Sequence, residues 1–229
     1  MLYSEEAVRA NIRNRSGKRV FFLGKGDQLT SAARDYLARE RIEILPAESA
    51  PIREYSLPGG GTMTQKPEHM THLHGNVLVP KTHPRIRFRG QVDTLEAELL
   101  LCQLELPEYR QVLEEILSLA RLLIRCEVMQ ESVQWETLRG MDQETLRRRS
   151  HFPQEYYSQP HFMPSAEDGR EMLLLNRVRC AIRETELAAA QAFTDRDGVI
   201  TRPDILEALN RMSSRIYILM IERKKGEPR

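Results

Sequence analysis

Long apolar repeats at helical spacing constrain this chain more than any other feature. Val92, Leu95, Leu99, Cys102 and Leu106 recur at intervals of three and four, which lines them along one face of a helix over about residues 88–106. Pro107 interrupts the pattern. It resumes with Val112, Ile116, Leu119, Leu123 and Cys126, over about residues 108–134. A third run covers about residues 169–193, with Leu174, Val178, Ala181, Ile182 and Ala188 as its core-facing positions. A fourth carries the stripe Ile205, Leu209, Met212, Ile216 and Leu219. TDRDG makes the turn before it, and Thr201-x-x-Asp204 with Pro203 in the first turn reads as its start. A short helix, capped near Asp142, lies between the second and third runs. Four long helices and a short one, joined by fairly short turns, predict a mainly α chain: an up-and-down five-helix bundle of the ferritin-like kind.

Residues 1–48 differ in texture and read as a small α/β unit. Ser4 opens a short helix, RVFFLG is an apolar strand, Thr30 caps a second helix, and IEIL is another strand. Residues 49–65 hold two prolines and three consecutive glycines, the composition of a linker. Residues 66–229 form the helical domain. It opens with KPEHMTHLHGNVLVPKTHPRI, an extended or looped stretch, and has an aromatic, Pro-rich loop at 150–168.

Composition removes several function classes. The 229 residues carry a formal net charge of +1, with 41% hydrophobic and 29% charged residues. A chain so near neutrality lacks the basic excess for non-specific nucleic-acid binding. No apolar run approaches the ~20 residues of a membrane span, and the first residues lack a signal-peptide core. Cys102, Cys126 and Cys180 are far apart, each in an apolar helical pattern with no CxxC. They are expected to be three buried free thiols of a cytoplasmic protein.

The third helix carries the sharpest constellation, Arg179-x3-Arg183-x2-Glu186. Spacings of four and three put the three charges on one helix face, and Asn176 extends the seam by a turn. Two arginines on one seam fit a polyanion, phosphate above all; a solvated face with an Arg–Glu pair is the plainer reading. Asp93 sits one turn into the first long helix, off its apolar stripe. It favours the helix start, or it faces Arg179 or Arg183 across a helix pair. Asn210, Ser214 and Tyr217 follow at i, i+4 and i+7 on the last helix, opposite its core stripe. They satisfy a neighbouring helix or water, or they read a ribose or base edge.

HPRI-x3-G-x-VD-x-L-x-A, then R-x3-R-x2-E, then LNR-x-SS, in that order on bundle helices, resembles the corrinoid adenosyltransferases. KPEHMTHL, SHFPQEYY and RPDILEALNRMSS are similar to the ethanolamine-utilization branch of that family, which is related to the propanediol-utilization type. The resemblance covers about residues 66–222. It implies a homo-trimer of five-helix bundles with sites between subunits, where ATP with Mg2+ and cobalamin are substrates and Co(I) attacks the 5′ carbon of ATP. It carries Arg179 and Arg183 over jointly as the arginines of the phosphate and ribose side and Asp93 as the carboxylate ordering Arg179. Glu186 orients the arginines or contacts ATP, and Asn210 is the nucleotide-binding asparagine. Phe162, with Tyr156 and Tyr157 as rivals, is the aromatic that keeps an axial ligand from the corrinoid's lower face. Lys66, Thr71, His72, Asn76 and Lys81 offer donors to the phosphates. The resemblance further implies a cytoplasmic enzyme associated with a bacterial microcompartment, with a corrinoid reductase or a cobalamin-dependent lyase such as ethanolamine ammonia-lyase as partner.

Some branch members carry a His followed by a CC-x2-C cluster; this chain has no cysteine before Cys102. His69, His72, His74 and His83 are therefore read without a structural transition metal, His72 as a phosphate contact. GKGD at positions 24–27 lacks the spacing and ending of a phosphate loop, and DRDG lacks the glutamate of a calcium loop. A di-metal carboxylate bundle needs Glu-x-x-His on two helices, and no glutamate here stands three residues before a histidine. A non-catalytic corrinoid or nucleotide carrier on the same bundle is the alternative to an enzyme. Both arginines together with Asp93 and Asn210 favour the transferase.

Overall fold

The structure is a computed structural model and describes residues 1–49 and 54–226. The chain forms two compact units, one ending at Glu54 and the other beginning at Tyr55. The first runs β1 (Leu2–Tyr3), α1 (Glu5–Ala10), β2 (Arg13–Arg15), β3 (Lys18–Leu23), β4 (Gln28–Leu29), α2 (Ser31–Arg39) and β5 (Glu43–Pro46). Both expected caps form: the Ser4 hydroxyl accepts from the Ala7 N–H and Thr30 from that of Ala33. β3 pairs antiparallel with β2 and parallel with β5. Phe21 on β3 meets Val8, Ala33 and Leu37 from the two helices in a small core of the unit's own.

The second unit opens with a sheet. β6 (Tyr55–Ser56), β7 (Thr62–Met63), β8 (Met70–His74) and β9 (Val77–Pro80) lie in the order β7-β6-β9-β8. Residues 55–63, assigned to the linker by composition, are thus a β-hairpin, Tyr55 opposite Met63 and Ser56 opposite Thr62. The three glycines make its turn: Gly60 and Gly61 have φ of +92° and +87°, values that side-chain-bearing residues rarely adopt. Residues 50–53 of that segment lie outside the described residues.

Four long helices follow, α3 (Pro84–Glu105), α4 (Arg110–Met129), α7 (Gly169–Phe193) and α8 (Pro203–Lys225). α3 starts earlier than its apolar repeat because Pro84 occupies the first turn and the His83 ring Nδ1 accepts from the Arg85 N–H at 3.2 Å. α4 stops short of residue 134 because Gln130 turns left-handed, at φ 59°. Freed from the helix, the Val133 N–H donates to Asp204 at 2.9 Å. Asp204 therefore serves another segment, the Thr201 hydroxyl donates to the Phe193 carbonyl, and the expected capping box does not form.

Cross-helix contacts mark the helix directions. Arg121 with Glu96 and Gln103 with Glu114 show α4 antiparallel to α3. Arg177 with Glu98 and Arg170 with Glu105 do the same for α7 against α3, and Arg223 with Glu171 for α8 against α7. α4 and α7 consequently run the same way, and residues 130–168 carry the chain back between them. That return holds the hairpin β10 (Thr137–Leu138) and β11 (Met141–Asp142), then α5 (Gln143–His151) and α6 (Pro153–Tyr157). α8 packs against α4, α5, α6 and α7, so residues 211–221 are buried on every face rather than along one stripe. The sheet is bolted to α3 and α4 through Glu127, which is fully buried. Its carboxylate takes Arg85 Nε at 2.5 Å and Arg89 Nε at 2.6 Å. The remaining nitrogens of Arg89 reach the His72 and Leu73 carbonyls of β8.

Candidate active site

The arginine seam of α7 faces the polar seam of α8 across a cleft of about 600 Å³. Asn176, Arg179 and Arg183 line one wall, Asn210 and Tyr217 the other, and Phe162 from the return segment closes an end. The helical spacing explains the convergence. Residues 176, 179 and 183 are one turn apart on α7, as are 210, 214 and 217 on α8. Antiparallel packing brings the two seams level.

Arg179 is half-buried, and its guanidinium lies 5.0 Å from the centre of the Tyr217 ring, a cation–π contact. Its Nε is buried and has no hydrogen-bond partner among the described residues. Burial holds the Arg179 pKa below its ordinary value, and the nearby charge of Arg183 adds to the shift. Both guanidinium groups stay charged at any physiological pH. Arg183 is exposed and makes no ion pair among the described residues. Two cations held in one cleft without a counter-ion repel each other, and an anion bound between them turns that repulsion into attraction.

Tyr217 also organises the loop over the cleft. Its ring stacks with His161, centroids 5.8 Å apart, and with Phe162 at 6.0 Å. The His161 Nε2 lies 3.2 Å from the His151 carbonyl and its Nδ1 3.0 Å from the Tyr217 hydroxyl. A carbonyl only accepts, so the network assigns the proton to Nε2 and makes Nδ1 the acceptor from Tyr217. Lys224 sits over the Phe162 ring, 5.5 Å from its centre, and pairs with Asp168.

Glu186 engages Asn210 rather than the arginines. The Asn210 amide donates to Glu186 at 3.2 Å, and its carbonyl oxygen accepts from Arg211 at 2.5 Å. Both ends of the amide are thereby fixed. Asp93 is exposed on α3 and pairs with neither arginine within the chain. Lys66, Thr71, His72 and Lys81 do not line the cleft. Lys81 pairs with the exposed Glu68, the His72 ring meets that of Tyr55 edge-on at 5.6 Å, and Thr71 is paired with Val79 in the sheet. Of the three aromatic candidates, Phe162 borders the cleft, Tyr156 lies beside Arg149 and Tyr157 is buried elsewhere. Cys180 corrects the reading of three buried thiols: it is exposed and borders the cleft, whereas Cys102 and Cys126 are buried. His161, the neighbour of Phe162 in HFMP, is the residue the sequence reading missed. Among the described residues no three His, Cys, Asp or Glu side chains come together as a metal site would require.

A family model described as cobalamin adenosyltransferase matches residues 61–222. Corrinoid adenosyltransferase EutT of Escherichia coli strain K12 is 39% identical over 160 residues, 69% of this chain and 60% of that protein. Corrinoid adenosyltransferase EutT of Salmonella typhimurium strain LT2 is 38% identical with the same coverage. The chain thus spans about 60% of the length of the curated relatives it matches. No solved structure matches it. The matched segment contains every cleft residue described above. This chain belongs to the cobalamin adenosyltransferase family.

Proposed function

We propose that the chain is an ATP:cob(I)alamin adenosyltransferase of the ethanolamine-utilization type, forming adenosylcobalamin for a cobalamin-dependent lyase. One observation carries the reading: Phe162, Arg179, Arg183 and Asn210, distant in sequence, border a single cleft in which neither arginine has a counter-ion among the described residues. In the reaction the Co(I) electron pair attacks the 5′ carbon of ATP. A cobalt–carbon bond forms, the bond from that carbon to the phosphate oxygen breaks, and triphosphate leaves with the bonding electrons. Negative charge grows on the leaving phosphate chain, so fixed cations aimed at it lower the barrier. Arg183, at the open side, meets the phosphates with the Mg2+ that accompanies the nucleotide. Arg179, held on the Tyr217 ring, sits on the ribose side. Asn210, its amide fixed by Glu186 and Arg211, reads the nucleoside. Phe162, stacked on Tyr217, presents an apolar surface to the lower face of the corrinoid. Excluding water and an axial ligand there favours reduction of Co(II) to the nucleophile.

Asp93, Lys66, Thr71, His72 and Lys81 stand apart from the cleft within one chain. Our reading has them complete the site from a neighbouring subunit of a homo-trimer of five-helix bundles, Asp93 pairing with Arg179. The enzyme works in the cytoplasm, associated with a bacterial microcompartment and supplied by a corrinoid reductase.

The test is an anaerobic assay with ATP, Mg2+ and chemically reduced cob(I)alamin, following loss of the Co(I) absorbance and identifying the product. The wild-type chain should form adenosylcobalamin, and Arg183→Ala should lower kcat by about 10²–10³-fold with helical content unchanged. Corrinoid or ATP binding without product would replace the enzyme by a carrier. Near-normal turnover in the variant would remove Arg183 from the chemistry.

A further inference from the structure

α5 carries a basic run, Arg147, Arg148 and Arg149, that does not line the cleft; His151 follows closely. Arg149 turns away, 5.8 Å from the Tyr156 ring centre. Arg147 and Arg148 line a groove of about 520 Å³ between α5 and the first half of α8, together with His151, Glu207 and Arg211. An adjoining hollow shares Arg147, His151 and Arg211 and extends to Asn210 and Glu186. His151 and Asn210 also border the arginine cleft. The groove therefore lies beside the cleft, on the side where the nucleoside-side asparagine stands.

Its charges are poorly compensated. Arg211 is only 7% exposed. One of its nitrogens donates to Asn210, another stands 3.7 Å from Glu207, and its Nε is buried with no partner among the described residues. Arg147 and Arg148 are exposed and make no ion pair among the described residues. Burial lowers the Arg211 pKa from its ordinary value; Glu207 opposes that shift and the charge of Arg147 adds to it. Glu144 and Glu207 stand against three guanidinium groups in the groove, and Glu186, in the adjoining hollow, accepts from Asn210 and acts on Arg211 from farther away. Arg147 and Arg148 thus stand in the groove as cations without an ion pair among the described residues, with the buried Arg211 beside them. A merely solvated basic face would not bury an arginine behind it.

We propose that the α5–α8 groove is a second anion subsite, in which Arg147 and Arg148, backed by Arg211, bind a phosphate group of a substrate whose remainder occupies the arginine cleft. The identity of that substrate rests on the adenosyltransferase reading; the anion site does not. Two sources share the chemistry: the polyphosphate of the nucleotide, and the phosphodiester joining the corrin ring of a complete cobalamin to its lower base.

Calorimetry with tripolyphosphate at low salt tests the subsite without turnover. Arg183→Ala should still bind tripolyphosphate, and adding Arg147→Gln and Arg148→Gln should weaken that binding about tenfold or more. Helical content should be unchanged, because both positions are exposed. In the otherwise wild-type chain, the pair Arg147→Gln and Arg148→Gln should raise KM for ATP if the nucleotide is the source. If the corrinoid is the source, it should raise KM for cobalamin but not for cobinamide, which lacks the phosphodiester. Tripolyphosphate binding within about twofold of the Arg183→Ala value overturns the subsite. Weakened binding with every KM unchanged overturns its assignment to a substrate. Weakened binding in a chain that forms no adenosylcobalamin leaves the subsite standing and removes the reaction.

Discussion

Arg179 and Arg183 share a helix face, yet the structure gives them different surroundings. Arg179 is fixed by the Tyr217 ring and half-buried, while Arg183 reaches open solvent at the cleft. Cys180 lies between them in sequence, three residues before Arg183 and so on the edge of the same face. This makes the thiol a reporter of the cleft. The thiolate is the reactive form of cysteine, and burial pushes Cys102 up to about 11 and raises Cys126 as well. Iodoacetamide should therefore label Cys180 well before the other two, and saturating MgATP should slow that labelling, both read by peptide mass spectrometry. Equal labelling of Cys102 would contradict its burial, and no protection by MgATP would take the nucleotide out of this cleft. The seam itself is legible in the sequence because spacings of three and four map directly onto a face. Exposure of Cys180 follows from the same spacing, but its apolar neighbours Val178, Ala181 and Ile182 mask it. What Asp93 meets is not legible, since periodicity assigns a residue to a face and says nothing of what stands opposite.

At the scale of elements, α7 is the most predictable part of the molecule. Its apolar periodicity and the turn that follows it give its limits directly. The ends of α3 and α4 escape prediction because a histidine ring and a left-handed glutamine, neither a common cap, set them. Glu127 escapes for a different reason: a lone acidic residue late in an amphipathic helix reads as surface, whereas the packing of β8 on α3 and α4 buries it completely. Removing one side of a buried ion pair leaves the other desolvated and unpaired. Glu127→Ala strands both Arg85 and Arg89 and should cost about 3–5 kcal/mol of stability, seen as a lower urea midpoint at unchanged m value. Arg121→Ala, which breaks the partly exposed pair with Glu96, should cost no more than about 1 kcal/mol. Equal losses in the two variants would mean that the Glu127 clamp contributes nothing beyond a surface pair.

At the scale of the whole molecule, the two largest cores are built from separate stretches of chain. Val8, Phe21, Leu29 and Leu37 belong to one, and the long helices enclose the other. Composition assigns residues 49–65 to a linker, whereas residues 55–63 form a hairpin, because a Pro- and Gly-rich stretch suits a tight hairpin as well as a linker. The two possibilities separate in a pair of truncations. A chain beginning at Tyr55 keeps the whole sheet and the family-matched segment, and should unfold cooperatively with the helical content of residues 55–229. A chain beginning at Lys66 loses β6 and β7, and with them the Tyr55 side chain that packs with Met70 and Leu78. A buried side chain of this size contributes about 1.5–3 kcal/mol, so the shorter chain should melt below the longer one by several degrees. β8, stripped of part of its sheet, would also hold Arg89 and the Glu127 clamp less firmly. Identical melting of the two chains would return residues 55–65 to the role of linker. Loss of helix in the longer one would show that the bundle needs the first 54 residues to fold.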